Sequence, residues 1–293
     1  MKGIVYVQFP KTGLGNLLLV WARAKVFAHI NDLPIVTSPW WGFRLGAWVR
    51  GERKKRLYWG YFKEDSWVKR LRVQFRKNQP GVVHEPPVAK LEETARNHFF
   101  LFDQVITDND LFGGIREYRD FIREELYQLL APRLLKQLNQ YEIPVIGIHI
   151  RRGDFKLGNP LTPLSFFIEG IHTIRSALNE DLPVTVFTDA AAAEVKDVLS
   201  LPNVRLAEDK PDILDILLMS KSKFIILSQS STFSYWGAFL SDAFVIRPSG
   251  DWQKKINIAG PNSSYREICW QKEDEASQLT LLEGLLKWRP TRI

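Results

Sequence analysis

The chain has 293 residues, 45% hydrophobic and 25% charged, with one cysteine and a formal net charge of +7. That balance excludes a disordered chain, a disulfide scaffold and a multi-cysteine metal site, and the length suits two domains. The charge is uneven: residues 41–80 hold 12 Lys or Arg against 3 acids, which fits a local basic face better than a nucleic-acid coat.

No stretch approaches the ~18 uninterrupted apolar residues of a membrane span, and the N-terminus turns polar too early for a signal peptide. A cytoplasmic location is therefore expected. Cys269 reads as a small buried apolar residue.

In chain order, Ile4 to Gln8 predicts a buried strand, the turn-rich stretch Pro10 to Asn16 a loop, and Leu17 to about Ile30 a helix. Leu33 to Thr37 follows as a second strand. Between residues 38 and 80, aromatic and basic residues interleave without a period, and five of the ten tryptophans fall there. From Leu91 to Tyr141 the pattern reads as mostly helical, with Tyr118 to Gln140 amphipathic and broken near Pro132.

A boundary near Tyr141 to Pro144 gives two domains, 1–142 and 143–293. The second alternates strands (145–149, 184–188, 204–206, 224–227, 244–246) with helices (163–178, 190–200, 212–220, 232–240), the pattern of a parallel, doubly wound sheet. The run 276–288 predicts a last helix that could pack on either domain.

In such a sheet, ligands bind beyond the carboxyl ends of the strands. There stands His149-Ile150-Arg151-Arg152-Gly153-Asp154. Two adjacent guanidinium groups at a strand end suit a diphosphate, because bidentate charge-assisted hydrogen bonds offset their desolvation. After the strand at 224–227, Ser228 to Thr232 offers hydroxyls and a helix start, which serve equally as a phosphate cradle or a plain cap. Gly13-Leu14-Gly15-Asn16 lacks the third glycine of a dinucleotide fingerprint and the ending of a P-loop. Asp189 and Asp215 also lie at strand-end loops or helix starts. Asp108-Asn109-Asp110 matches an acidic metal-binding pair in form, but reads as a loop or cap. The five histidines show no metal-ligand spacing.

Together, Gly13 to Asn16, His149 to Asp154, and Asp215 to Ser220 followed by Ser231 to Leu240 resemble the α-1,2-fucosyltransferase family and, more distantly, the α-1,6- and protein O-fucosyltransferases. The resemblance implies an α/β fold of GT-B type: two Rossmann-like domains facing a cleft, the first carrying the glycine loop and acceptor surface, the second binding GDP-fucose. It implies an enzyme, a metal-independent inverting fucosyltransferase acting on a glycan hydroxyl, with a galactoside acceptor in α-1,2 linkage. No cofactor or metal is implied.

Carried over by position, Arg151 grips the β-phosphate, Arg152 supports the motif, His149 lies beside the nucleoside, Asp215 meets the guanosine, and Ser231 and Thr232 donate to the phosphates. Gly13, Gly15 and Asn16 line the donor from the first domain. Asp154 is the nearest motif carboxylate for the catalytic base. Two departures stand out: Leu17-Leu18-Leu19-Val20 replaces a polar continuation of the glycine motif, and Tyr235-Trp236-Gly237-Ala238-Phe239 replaces Trp-Trp-Gly-Ala-Trp.

The basic, aromatic segment 50–77 fits a peripheral contact with the inner membrane surface or a lipid-linked acceptor. Three alternatives stand beside this reading: another GDP-sugar donor, a non-catalytic sugar-nucleotide binder, and a basic nucleic-acid-binding protein. The last leaves the strand-end motifs unused.

Overall fold

The computed structural model describes residues 3–41, 57–77, 81–153, 161–251, 253–258, 263–271 and 273–288. They divide into two compact units, Met1–Gln137 and Leu138–Ile293.

In the first unit, β1 (Ile4–Val7) runs into α1 (Leu14–Ile30) and then β2 (Ile35–Thr37). The helix sequence is apolar on almost every side, which marks a helix covered all round rather than a surface one. Leu17, Leu18, Leu19 and Val20 are all buried, so the departure from the family pattern at these positions serves the core. Further along come α2 (Trp67–Arg76), β3 (Val82–His84), β4 (Phe99–Phe102), α3 (Arg119–Leu129) and α4 (Pro132–Leu138).

The break expected near Pro132 is present because proline fits a first helical turn, where its missing N–H costs nothing. The four strands form a parallel sheet in the order β2-β1-β4-β3. Strand β4 overturns the expectation of a mostly helical stretch from 91. Its sequence Phe-Phe-Leu-Phe is buried at every position, and a strand covered on both faces shows no alternation to distinguish it from a helix.

The second unit carries β5 (Ile146–Ile150), α5 (Leu164–Leu178), β6 (Val184–Thr188), α6 (Lys196–Leu199), β7 (Val204–Leu206), α7 (Asp212–Ser220), β8 (Phe224–Ile226), α8 (Thr232–Phe239), β9 (Phe244–Pro248), β10 (Arg266–Trp270) and α9 (Glu275–Lys287). All its strands are parallel, in the order β10-β9-β8-β5-β6-β7. The chain thus moves outward from β5 through β6 to β7, then returns to the other side of β5 with β8. The strand order reverses between β5 and β8, which makes that point a crevice at the strands' carboxyl ends.

Alternation along β5 assigns the layers. Ile146, Ile148 and Ile150 join Phe167, Ile171 and Ile174 of α5 and Leu281 and Leu285 of α9 in one core. Gly147 points the opposite way: a Cβ there would sit 2.6 Å from Ser222 Oγ and 3.6 Å from Met219. The last helix therefore packs on the second unit, beside α5 and β10.

Strand β10 lies outside the expected set, because an edge strand carrying Arg266, Glu267 and Cys269 shows no apolar run. Cys269 is exposed, which corrects its reading as a buried residue: it occupies an outward position of β10, between Ile268 and Trp270.

Candidate functional site at the strand-order reversal

The register pairs Ile150 with Thr188 across β5 and β6. The residues just beyond those strands therefore come out level. Arg151 NH1 meets Asp189 Oδ2 at 2.7 Å, and the Arg152 backbone N–H donates to Asp189 Oδ1 at 2.8 Å. One carboxylate thus holds both the side chain of the first arginine and the main chain of the second. Gly153 permits this: a Cβ there would fall 2.3 Å from Asp189 Oδ2.

The other side of the reversal is tied in by Ser228, just past β8. Its hydroxyl accepts from the Arg151 backbone N–H at 2.9 Å and donates to His149 O at 2.8 Å. Thr188 adds a third tie, donating to Ile150 O at 2.6 Å. The two strands that flank β5, β6 and β8, therefore fix the peptide that carries Arg151.

The two arginines have different roles. The Arg151 side chain is 22% exposed, so a solvent-borne anion can reach it. Arg152 is buried, and its NH2 donates to Thr162 O at 2.8 Å while NH1 donates to Arg151 O at 3.2 Å. Burial lowers its pKa, partly countered by Glu194 and Asp189. Arg152 braces the loop from inside, and Thr162 passes the brace on by accepting the Gln229 N–H at 2.9 Å.

His149 shares the Gly147 face of β5 and points toward α8. Its Nδ1 lies 2.6 Å from Ser234 Oγ, and its ring stands 4.9 Å from that of Phe233. Burial holds its pKa down to about 3, against an opposing pull from Asp189, so the ring is neutral near pH 7.

Ser231 is the N-cap of α8: its hydroxyl accepts from the Ser234 N–H at 3.4 Å. Thr232 begins that helix, where backbone N–H groups lack intrahelical acceptors. Tyr235, one of the departures from the family pattern, is buried and donates to Asp251 at 2.7 Å. Burial and the adjacent carboxylate both raise the phenol's pKa. A tyrosine in this apolar layer needs such an acceptor, and Asp251, held 3.6 Å from Arg247 NH1, supplies it.

Asp215 lies in the first turn of α7, and Lys210 Nζ pairs with it at 2.9 Å. That ammonium is itself packed over the rings of Tyr141 and Phe187. Asp154 lies outside the described residues.

Gly13, Gly15 and Asn16 belong to the first unit. Gly13 is the N-cap of α1 with φ −69°, and a Cβ on it would meet nothing within 4 Å. Asn16 donates to Thr12 Oγ1 at 2.8 Å, while its buried Oδ1 has no hydrogen-bond partner among the described residues. Asp108 accepts from the Asp110 N–H at 2.8 Å and Asp110 pairs with Arg116, as suits a loop.

Within the second unit, therefore, His149, Arg151 and Arg152 come together with Ser231 and Thr232 through α8. Sequence reasoning noted Asp189 as a loop carboxylate without joining it to the arginines, and it passed over Thr162 and Ser234. Aligning the ends of the two predicted strands at 149 and 188 would have brought Asp189 level with Arg151. Nothing in the sequence pointed to Thr162, whose carbonyl is reached only by chain return.

Residues 115–249 match the family model described as Glycosyl transferase family 11. Among solved structures, the fucosyltransferase NodZ from Bradyrhizobium is similar over 83% of this chain and 94% of its own, at 14% identity and a TM-score of 0.51. NodZ alpha-1,6-fucosyltransferase soaked with GDP-fucose is similar over 81% and 92%, at 15% identity and a TM-score of 0.50. At these identities the likeness speaks for the fold. No curated protein sequence matches.

Proposed function

We propose that this chain, a glycosyltransferase bearing family 11 sequence over residues 115–249, moves fucose from GDP-fucose to a hydroxyl of a glycan acceptor with inversion at the anomeric carbon. The observation that carries the reading is the half-open Arg151 side chain at the reversal point between β5 and β8, braced by Asp189. As the glycosidic C–O bond breaks, negative charge collects on the departing diphosphate. A guanidinium already fixed there stabilises that charge more in the transition state than in the ground state.

In the proposed arrangement of GT-B type, two Rossmann-like domains face a cleft and the second holds the donor. Arg151 grips the β-phosphate, with Thr232 and the start of α8 contributing further donors. His149, neutral and packed on Phe233, lines the nucleoside side, and Asp215 is assigned to the guanosine. The acceptor hydroxyl attacks the anomeric carbon from the face opposite GDP and gives its proton to a carboxylate, for which Asp154 is the candidate. A diphosphate met by a guanidinium and helix N–H donors needs no metal for charge neutralisation. Gly13, Gly15 and Asn16 are proposed to approach the donor from the first unit; open space over Gly13 supports this. The proposed acceptor linkage is α-1,2 to a galactoside.

Thermal-unfolding shifts across GDP-fucose, GDP-mannose, UDP-sugars and dTDP-sugars test the donor. Selective stabilisation by GDP-fucose is expected. A selective response to GDP-mannose would change the sugar while keeping the fold's role, and a response to uridine donors alone would overturn the reading.

A further inference from the structure

Helix α2 is built differently from the other amphipathic helices of the chain. Its apolar residues Trp67, Val68, Leu71 and Phe75 are all exposed, Trp67 at 70% and Phe75 at 76%. Only Val73 is buried, in a small cluster with Tyr6, Val36, Phe99 and Leu101. At 3.6 residues per turn, the four exposed residues fall on one stripe about 100° wide, opposite Val73. The stripe therefore points directly away from the sheet that anchors the helix.

The basic residues are divided between the two sides of the helix. Arg70 faces inward, where its Nε donates to Thr37 O at 3.0 Å and its guanidinium pairs with Glu64. Arg76 lies 5.8 Å from the Phe99 ring. These two hold the helix to its unit. Lys69 and Arg72 are exposed; at about 100° per residue Arg72 borders the apolar stripe, whereas Lys69 falls on the Val73 side. No acid occurs between Trp67 and Lys77.

We infer that α2 docks on an anionic lipid bilayer, its Trp67, Leu71 and Phe75 entering the headgroup boundary while Arg72, beside them, lies level with the lipid phosphates. Three features favour a bilayer over a folded partner. The stripe lies on the side of the helix opposite its buried Val73, with all four of its residues exposed. Trp and Phe on one side with Arg72 beside them and further basic residues on the rest of the helix, at low overall hydrophobicity, match the composition that lies in a membrane interface. The basic excess across residues 41–80 gives a long-range attraction to anionic headgroups that an apolar stripe alone lacks. No described helix is long and apolar enough to cross a membrane, so the contact is peripheral. The inference is independent of the donor assignment and needs no nucleotide.

The test is co-sedimentation of the full chain with phosphatidylcholine vesicles, with and without phosphatidylserine. The wild type is expected to pellet with phosphatidylserine vesicles and to partition much less onto neutral ones. Leu71→Glu/Phe75→Glu should lower partitioning at least ~10-fold, and Arg72→Glu by a smaller factor. Unfolding midpoints should stay unchanged, because the replaced side chains are exposed. A wild type that ignores both vesicles overturns the inference, as does equal binding by wild type and Leu71→Glu/Phe75→Glu. Sedimentation velocity without lipid gives a further outcome: self-association abolished by the same pair, with no vesicle binding, would assign the stripe to a second copy.

Discussion

Two strand-to-helix loops carry the chain's most motif-like sequences, and their glycines stand in opposite surroundings. The loop after β5 is cross-linked within its own unit: Asp189, Ser228 and Thr162 each fasten it, and Gly153 is pressed against a carboxylate. The loop after β1 is fastened at its start, where the Phe9 N–H donates to Ser38 Oγ at 2.9 Å and the Phe9 ring packs on Trp40, but it is open at Gly13, which is extended and would place a Cβ with nothing within 4 Å beyond its chain neighbours. Glycine at 153 is thus demanded by the chain itself. Among the described residues nothing requires glycine at 13, in keeping with the proposed approach of the donor there.

The sharpest way to break that contrast is to remove the cation. Arg151→Ala should lower kcat/KM at least ~100-fold and abolish thermal stabilisation by GDP, since a charge-assisted contact to the leaving group is lost. Retention of GDP stabilisation by this variant would move the phosphate site elsewhere.

Next come the paired glycines. Gly153→Ala should cost about 2 kcal/mol of stability, because the new methyl collides with Asp189 or displaces it from both arginines. Gly13→Ala should leave the unfolding midpoint nearly unchanged, yet raise the KM for donor. Calorimetry and donor titrations on the two variants separate these effects. Equal stability losses would show that the two loops are built alike after all.

The smallest effect is on pH. His149 has a folded pKa near 3 against 6.5 when free, so between those values the unfolded chain binds a proton that the folded chain refuses. Stability is full above about pH 6.5 and falls as pH drops through that window. From this residue alone the loss between about pH 7 and pH 6 is about 0.7 kcal/mol. His149→Asn, whose amide can still meet Ser234, should flatten that slope in denaturant titrations at the two pH values.

The order of strands and helices from β5 to β9 was legible because most of these strands are short apolar runs bounded by polar turns and separated by helical patterns, whereas β10, with no such run, was not. Arg151 was legible for the same reason, since a strand's carboxyl end can be counted along the chain. The first unit was less so. Phe99–Phe102 has no period, and Trp67–Arg76 is amphipathic with its apolar side outward, so a reading that assigns apolar residues to a core places that side wrongly.

Sequence alone therefore established a parallel α/β second unit, the arginine motif at a strand end, and the family resemblance those motifs carry. Tertiary structure decided which arginine faces solvent, because Arg151 and Arg152 are chemically identical and adjacent, and only the return of Thr162 to the loop supplies a buried carbonyl for one of them. It likewise decided that Asp189 is their shared carboxylate, a choice made by the register between β5 and β6. Such choices depend on hydrogen-bond partners distant in the chain, and local patterns of apolar and polar residues carry no record of them.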